Sequence, residues 1–281
     1  MNRILVDSGM GYIRTAFVEN GVLTDLIIED KNDESIVGNI YVGRVEKIVK
    51  GLHAAFIDIG EGKNGVLYLD DTDLKQGDTV TVQAEKEAVN EKGAVLTTKI
   101  SFPGRFCVLI PNDKGAGVSK KIGSTGERAR IKEELLKVLP EGYGIIARTG
   151  AEGKTAEDFK KEVSSIYNAA EKILSKADYI KPTALIYRKM SPADKMILEL
   201  MDEVDEIIIN DNELYEHIIS LAEFYGEDTS KVIFYDDLVP IFDYYMIESK
   251  AEKIFDKKVW LKSGGFLVIE KTEAMNIIDV N

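Results

Sequence analysis

The chain is poor in three things: cysteine, long apolar runs and positive charge. Its one cysteine, Cys107, excludes an internal disulfide framework and any multi-cysteine zinc site within these 281 residues. It lies in the apolar run FCVLI and reads as a buried structural thiol, not a nucleophile. An uninterrupted apolar stretch of about 18 residues, the minimum for a membrane-spanning helix, is absent. Met1 is followed by polar Asn2 and Arg3 and then by a strand-like run, unlike the apolar core of a signal peptide. The expected location is cytoplasmic. Lys and Arg number 36 against 49 Asp and Glu, a net charge of −13, which argues against a uniformly nucleic-acid-binding surface. The average hides a local reversal: between residues 99 and 150, ten basic residues face five acidic ones, a net +5. A 44% hydrophobic content over this length supports two or more domains with their own cores.

What is present is most informative at residues 38–98. GNIYVGRVEKIVKGLHAAFIDIGEGKNGVLYLDD, then QGDTVTVQAEKEAVNEKGAVLTT, reads as five short strands of a small closed barrel. Apolar residues alternate through Ile40 and Val42, Ala55, Ile57 and Ile59, Val66 and Tyr68, and Val80 and Val82, with glycines at the bends. Such barrels commonly hold single-stranded nucleic acid. The wording GxVxxIxxGxxAAFIDIG, followed by GVLYLDD and QGDTVxVQ, resembles the RNA-binding repeat of ribosomal protein S-one. Phe56, Tyr68, Tyr41 and Lys92 are the candidates beside a groove that tracks a backbone. Phe56 is out of phase with Ala55, Ile57 and Ile59, so it faces outward when those three fill the core.

Upstream, RILVDSG, GYIRTAFVENG and VLTDLIIED form an antiparallel meander, with Asn20-Gly21 as a hairpin signal. Alone it is too small to bury a core and needs a partner later in the chain. Its wording resembles the first hairpin of the ribonuclease H-like and actin-like superfamily, where an early aspartate serves metal or phosphate. Here that residue is Asp7, which lacks recognisable acidic partners and reads as structural. Downstream come the strand RFCVLIPN, a short helix over GERARIKEELLKVLP and the strand GIIART. Thr155 with Asp158 starts an amphipathic helix that lines up Phe159, Val163, Ile166, Ala170 and Ile173. Ser191-Pro192 opens another helix, and EIIIN, DNELYEHIISLAEFYG and KVIFYDD alternate strand and helix. A helix is expected over 243–255, followed by an antiparallel set around Ser263-Gly264-Gly265.

Two further motifs bear on chemistry. TGAEGKT at 149–155 looks like a phosphate loop, but Arg148 stands where its first glycine is needed, so it reads as a turn. Arg148 and Thr149, at a strand end with glycines behind them, can still grip one terminal phosphate through guanidinium and hydroxyl. Asp279 and Asn281 lie on one face of the last strand and can offer oxygen ligands to a hard cation. Phosphodiester hydrolysis with Mg²⁺ generally needs at least one more carboxylate.

Taken in order, GNIYVGRVEKI, AAFIDIG, EKGAVLTT, PNDKGAGVSKKIG, GIIARTG, EIIIN, VPIFDYYMIESKAEKIF and VWLKSGGFLVIEKTEAMNIIDVN resemble the catalytic half of the ribonuclease E/G family along essentially the whole chain. The resemblance implies a multidomain α/β and β fold. A ribonuclease H-like domain (1–36 and 191–257) is interrupted by an OB-fold RNA-binding barrel (37–98) and an α+β 5′-end sensor domain (99–190). The start of a deoxyribonuclease I-like domain follows at 258–281. It implies RNA contacts at Phe56 and Lys92, with Val66 in place of a second family aromatic and Tyr68 as its substitute. It implies a 5′-monophosphate pocket at Gly104, Val108, Lys120, Arg148 and Thr149, Lys120 replacing a familiar arginine. Asp279 becomes a Mg²⁺ ligand and Asn281 its support, in an endoribonuclease that cleaves single-stranded A/U-rich RNA during ribosomal RNA processing and messenger decay. Family members are homo-oligomers. The second aspartate and a zinc link between protomers fall beyond residue 281 in the family, so an incomplete active site is expected here. The competing expectations are a non-catalytic RNA-binding protein that uses barrel and sensor alone and, on VDSG and GAEGKT only, a nucleotide-binding enzyme.

Overall fold

The computed structural model describes every residue except Glu34, residues 70–73, residues 89–92 and Ala274. The chain begins with β1 (Asn2–Ser8), β2 (Tyr12–Glu19) and β3 (Val22–Asp30). The next strands are β4 (Ile40–Val49), β5 (Ala54–Asp58), β6 (Gly65–Tyr68), β7 (Thr79–Lys86) and β8 (Val95–Thr97). A mixed region has β9 (Phe102–Pro103), β10 (Cys107–Pro111), β11 (Gly115–Val118), α1 (Thr125–Val138), β12 (Tyr143–Ala147), α2 (Ala156–Ala177) and β13 (Ala184–Tyr187). After it come α3 (Pro192–Leu200), β14 (Glu206–Ile209), α4 (Asn212–Tyr225), β15 (Val232–Phe234), α5 (Ile241–Tyr244) and α6 (Glu248–Lys253). The chain closes with β16 (Lys258–Trp260), β17 (Phe266–Lys271) and β18 (Asn276–Val280). These elements divide into two compact units, one of Met1–Lys31, Leu200–Ile219 and Thr229–Asn281, the other of Asn32–Glu199 and Ser220–Asp228.

In the first unit the opening meander finds its partner across more than 200 residues of sequence. The sheet order is β15-β14-β1-β2-β3, with β1 parallel to β14 from Arg3↔Glu206 to Val6↔Ile209. Asn20 and Gly21 both take positive φ, 49° and 79°, which makes the tight β2–β3 turn. Asp7 is buried and structural: it pairs with Arg14 and accepts from Asn210 Nδ2 at 2.8 Å. Arg14 also donates to Glu248 Oε1 at 2.7 Å and lies 4.3 Å from the Phe242 ring centre, so one guanidinium joins the sheet to α5 and α6. The expected helix over 243–255 is two helices. Met246 adopts φ 55°, which breaks the run and lets Ile247, fully buried, join Leu5, Ile208, Ile241 and Phe242 in the core. A separate antiparallel sheet, β16-β17-β18, ends this unit.

The second unit holds a closed five-stranded barrel, β4-β5-β6-β8-β7 with β7 returning to β4, consistent with an OB-fold. Its core is Tyr41, Val45, Ala55, Ile57, Ile59, Leu67, Val82, Ala84 and Leu96. Alternation therefore runs as expected in β5, whereas in β6 it is Leu67 that points inward while Val66 and Tyr68 point out. Beyond the barrel, the sheet β11-β12-β10-β9 packs one face on α1 and α2. Phe159, Val163 and Ile166 of α2 meet Leu109, Ile145, Ile131 and Leu135, all nearly or fully buried. Each such side chain contributes roughly 1.5–3 kcal/mol on burial, against about 1 kcal/mol for an N-cap. Packing thus decides that α2 forms. The reciprocal Thr155–Asp158 capping box decides where it starts.

Glu162 interrupts the apolar stripe of α2 and is buried. Its Oε1 accepts from the backbone N–H groups of Phe106 at 3.0 Å and Cys107 at 3.4 Å, tying the loop before β10 to the helix. Burial raises its pKa above the ordinary 4.5, opposed by those two N–H groups and by Arg105. The folded protein therefore holds this proton more tightly than the unfolded chain. Below pH 4.5 the ionisation penalty is absent, and it grows as pH rises through the folded value. Glu162→Gln keeps an acceptor for both N–H groups and removes the titration. In thermal melts the variant should gain on the wild type as pH rises from 4.5 toward neutral; a difference in Tm that ignores pH would contradict this account.

Candidate nucleic-acid interface

The barrel's outward face is assembled by strand register. Lys47 pairs with Phe56, Phe56 with Val66 and Val66 with Val95, so these four form one row across β4, β5, β6 and β8. Phe56 is half-buried between the fully buried Ala55 and Ile57, as the alternation requires. Tyr68, opposite Ala54, is 59% exposed on the same side of the sheet and extends the row toward the end of β8. An aromatic ring held at half-burial on a strand is fixed in orientation and keeps a face for a base to stack on. Lys92 lies outside the described residues.

Tyr41 does not belong to this face. It is fully buried in the barrel core, where its hydroxyl accepts from Asn39 Nδ2 at 3.1 Å and donates to Glu61 Oε1 at 2.8 Å. Burial pushes its pKa up to about 12. Size explains the difference: on a small barrel a tyrosine can fill the interior when its hydroxyl reaches polar partners at the rim.

Beyond the barrel, a second group of candidates gathers where β10 begins and β11 and β12 end. Val118 pairs with Ala147, and Ser119 N–H donates to the Ala147 carbonyl at 2.9 Å, which brings Lys120 beside the residues that follow β12. Arg148 N–H donates to the Phe106 carbonyl at 2.8 Å, and its guanidinium reaches the Gly104 carbonyl at 3.4 Å. Val108 lies on the sheet face away from the helices, paired with Ile146. Gly104, Val108, Arg148 and Thr149 are thus at one end of one sheet, with Lys120 next to them. Arg148, Thr149 and Lys120 are exposed. A Cβ at Gly104 would lie 2.4 Å from Glu162 Oε1 and 2.4 Å from Ile166 Cδ1, so the close approach of loop and helix requires glycine there.

The Thr149 loop is held from α1. Glu127 Oε1 accepts from Gly153 N–H at 3.0 Å, while Arg130, paired with Glu127 at 2.6 Å, donates to the Lys154 carbonyl at 2.9 Å. The Arg130 hydrogen bond, with the Gly153 N–H, holds the Glu127 carboxyl down to about 2. Backbone N–H groups from Ala151 to Thr155 are all spent within the loop or on Glu127 and Asp158. This removes the donors a phosphate loop would need, and 149–151 is a single 3-10 turn. Glu127, Arg130 and Glu162 escaped the reading from sequence. Only Glu162 carried a legible signal, a carboxylate on the 159–162–163–166 stripe that α2 buries.

Asp279 and Asn281 lie at the end of β18, where Asn281 Nδ2 donates to Asp279 Oδ2 at 2.7 Å. Asp279 is exposed and opposite Val268. The donor chemistry suits a hard cation; Mg²⁺ takes six oxygens in near-octahedral array, several of them commonly water, and this pair would supply two. Among the described residues, no group of three or more His, Cys, Asp or Glu side chains is placed to hold a metal.

Comparison with known proteins gives this geometry a context. The profile described as Ribonuclease E/G family matches residues 101–281. Ribonuclease G of Salmonella typhimurium is 33% identical over 99% of this chain and 62% of its own length, and that of Escherichia coli K12 is 32% identical over the same shares. Ribonuclease E of Escherichia coli K12 is 33% identical over the whole of this chain and 29% of its own length. The chain therefore spans about three fifths of the ribonuclease G proteins it matches. With a family profile covering well over half of it and relatives that match it along nearly all of its length, the chain belongs to the ribonuclease E/G family.

Proposed function

We propose that this chain is the RNA-holding part of an endoribonuclease that hydrolyses single-stranded, A/U-rich RNA with Mg²⁺ and senses a 5′-monophosphate, in ribosomal RNA processing and messenger decay. In this reading residues 37–98 hold the strand and 99–190 sense its end. Residues 1–36 with 191–257 form a ribonuclease H-like scaffold, and 258–281 begin a deoxyribonuclease I-like catalytic domain. The observation that carries the reading is the outward row of Lys47, Phe56 and Val66, with Tyr68 alongside, on a closed barrel in a chain of this family.

Each group has a defined task. Phe56 and Tyr68 stack bases; Lys92 is assigned to the same strand. Arg148 and Thr149 take the terminal phosphate, the guanidinium through paired N–H donors and the hydroxyl through a third. Lys120 adds a point charge without bidentate geometry. Glu162 and the Glu127–Arg130 pair do not touch RNA; they position the two loops that do. Asp279, oriented by Asn281, is the one carboxylate assigned to the hydrolytic centre.

Binding and cleavage separate in the tests. Phe56→Ala should weaken binding of a single-stranded oligoribonucleotide by about 1–3 kcal/mol, roughly 5- to 150-fold, in fluorescence anisotropy; an unchanged affinity removes the barrel face from the reading. Arg148→Ala should erase the preference for 5′-monophosphate over 5′-hydroxyl RNA, a loss of about 1.5–3 kcal/mol for charge-assisted bonds. A preference that survives would shift the sensing role elsewhere. In the full-length protein, Asp279→Ala or chelation of Mg²⁺ should abolish cleavage of a 5′-monophosphorylated fluorescent oligonucleotide and spare its binding. Binding without cleavage in the full-length wild type would instead favour a non-catalytic RNA-binding protein.

A further inference from the structure

Next to the aromatic face, within the same unit, lies a concavity of about 910 Å³ that has no task in sensing or cleavage. It is lined by the backbone of the barrel wall at Leu67, Ala84 and Leu96, whose side chains fill the barrel core, and by Tyr68, Thr97, Lys99, Lys189 and Lys195. The site is built, not incidental. Gln83, buried, donates through Nε2 to the carbonyls of Gly38 at 2.9 Å and Ser101 at 3.1 Å, and its Oε1 accepts from Ser101 N–H at 2.9 Å. This fixes the loop that presents Lys99. Across the cavity, Asn39 Oδ1 accepts from Lys189 N–H at 2.8 Å and holds the segment that leads to Lys195.

Three ammonium groups and one carboxylate, Glu85, line this space in a chain whose net charge is −13. Such a local excess of cations beside the exposed Tyr68 ring suits an anion that carries a flat apolar body. The volume is within the range of small-ligand sites and accommodates one nucleotide with solvent. Register makes it continuous with the stacking face: β6 runs parallel to β8, so the Phe56–Val66–Tyr68 side leads directly to Thr97 and on to Lys99. Lys189 Nζ already donates to Ser35 Oγ at 2.7 Å, which leaves Lys99 and Lys195 as the cations assigned to a ligand.

We propose that this cavity is an additional nucleotide subsite: it takes one nucleotide of the single strand stacked on Phe56, the base against Tyr68 and a backbone phosphate on Lys99 and Lys195. The proposal rests on the reading of the barrel face as an RNA-binding surface, and its test keeps the two apart. The 281-residue chain is titrated with 3′-labelled single-stranded oligoribonucleotides of about 5 and about 12 nucleotides over a range of salt concentrations. The Lys99→Gln/Lys195→Gln double variant should bind the longer oligonucleotide about tenfold more weakly. Its plot of log affinity against log salt should be shallower by about 0.7 for each phosphate that the variant no longer neutralises. Phe56→Ala should weaken both oligonucleotides and leave that slope unchanged, and Lys137→Gln, on α1 away from the cavity, should change neither quantity.

If Phe56→Ala weakens binding while the double lysine variant keeps the wild-type affinity and slope, the subsite is wrong and the aromatic face stands. An effect of Lys137→Gln as large as that of the double variant would reduce the result to overall charge and overturn the subsite. A wild-type chain that binds neither oligonucleotide removes the underlying reading itself. Lys99 is exposed and Lys195 half-buried, so matching thermal melts of variant and wild type should accompany the titrations.

Discussion

The second unit depends on one strand serving three neighbours. β4 pairs with β7 and β13 through its first residues and with β5 through its last, and a bulge between Val45 and Lys47 makes the change of direction. Gly43 permits it, since a Cβ there would sit 2.4 Å from Ile57 Cγ2. Along the same strand Ile40 enters the core beneath α2, while Tyr41 and Val45 enter the barrel. Because strand faces alternate, a slip of one residue would turn Phe56 inward and expose Ile57. The outward position of Phe56 is therefore a consequence of core packing in the barrel.

Both candidate binding regions rely on a buried polar side chain to hold a loop, and the two solutions differ in their electrostatic cost. At the barrel rim Asn39 and Gln83 are neutral amides whose hydrogen bonds are made to backbone and to Tyr41. Leaving any of these groups unpaired would cost about 1–3 kcal/mol, so the network favours one arrangement of the rim. At the loop before β10 the anchor is the carboxylate of Glu162, which burial disfavours in its charged form. Two backbone N–H groups and nearby Arg105 offset that penalty without removing it. The loop on which Arg148 leans is thus held by a group whose own ionisation opposes folding, an arrangement consistent with a binding loop on a rigid scaffold.

How much was legible follows from which interactions are local. Period-two alternation and glycine placement exposed the barrel strands and the outward phase of Phe56, because both depend only on residues near in sequence. The α2 start was visible in Thr155 and Asp158 for the same reason. Tyr41 misled because its burial depends on Asn39 and Glu61, the latter 20 residues away. β13 was invisible: ALIY has no partner nearby and becomes a strand only by lying along β4, more than 140 residues earlier. The split of the 243–255 helix was hidden as well, since the positive φ of Met246 goes with burial of Ile247 against Leu5 of β1 and Ile208 of β14, both distant in sequence. The gathering of Gly104, Lys120 and Arg148 came from family resemblance alone, since their juxtaposition depends on parallel pairing of β11 with β12.

Net charge and binding site finally reconcile through distance. Screening at physiological salt limits exposed charges to about 8 Å, so a phosphate on the barrel responds to the lysines beside it far more than to the total of −13. Those lysines are few, and a handful of phosphate contacts gives only modest sequence-independent affinity. On the proposed reading, the remaining binding energy would come from bases stacked on Phe56 and Tyr68, surfaces that a duplex, with its bases already stacked, cannot use. On that reading, the site would therefore favour single-stranded over double-stranded nucleic acid.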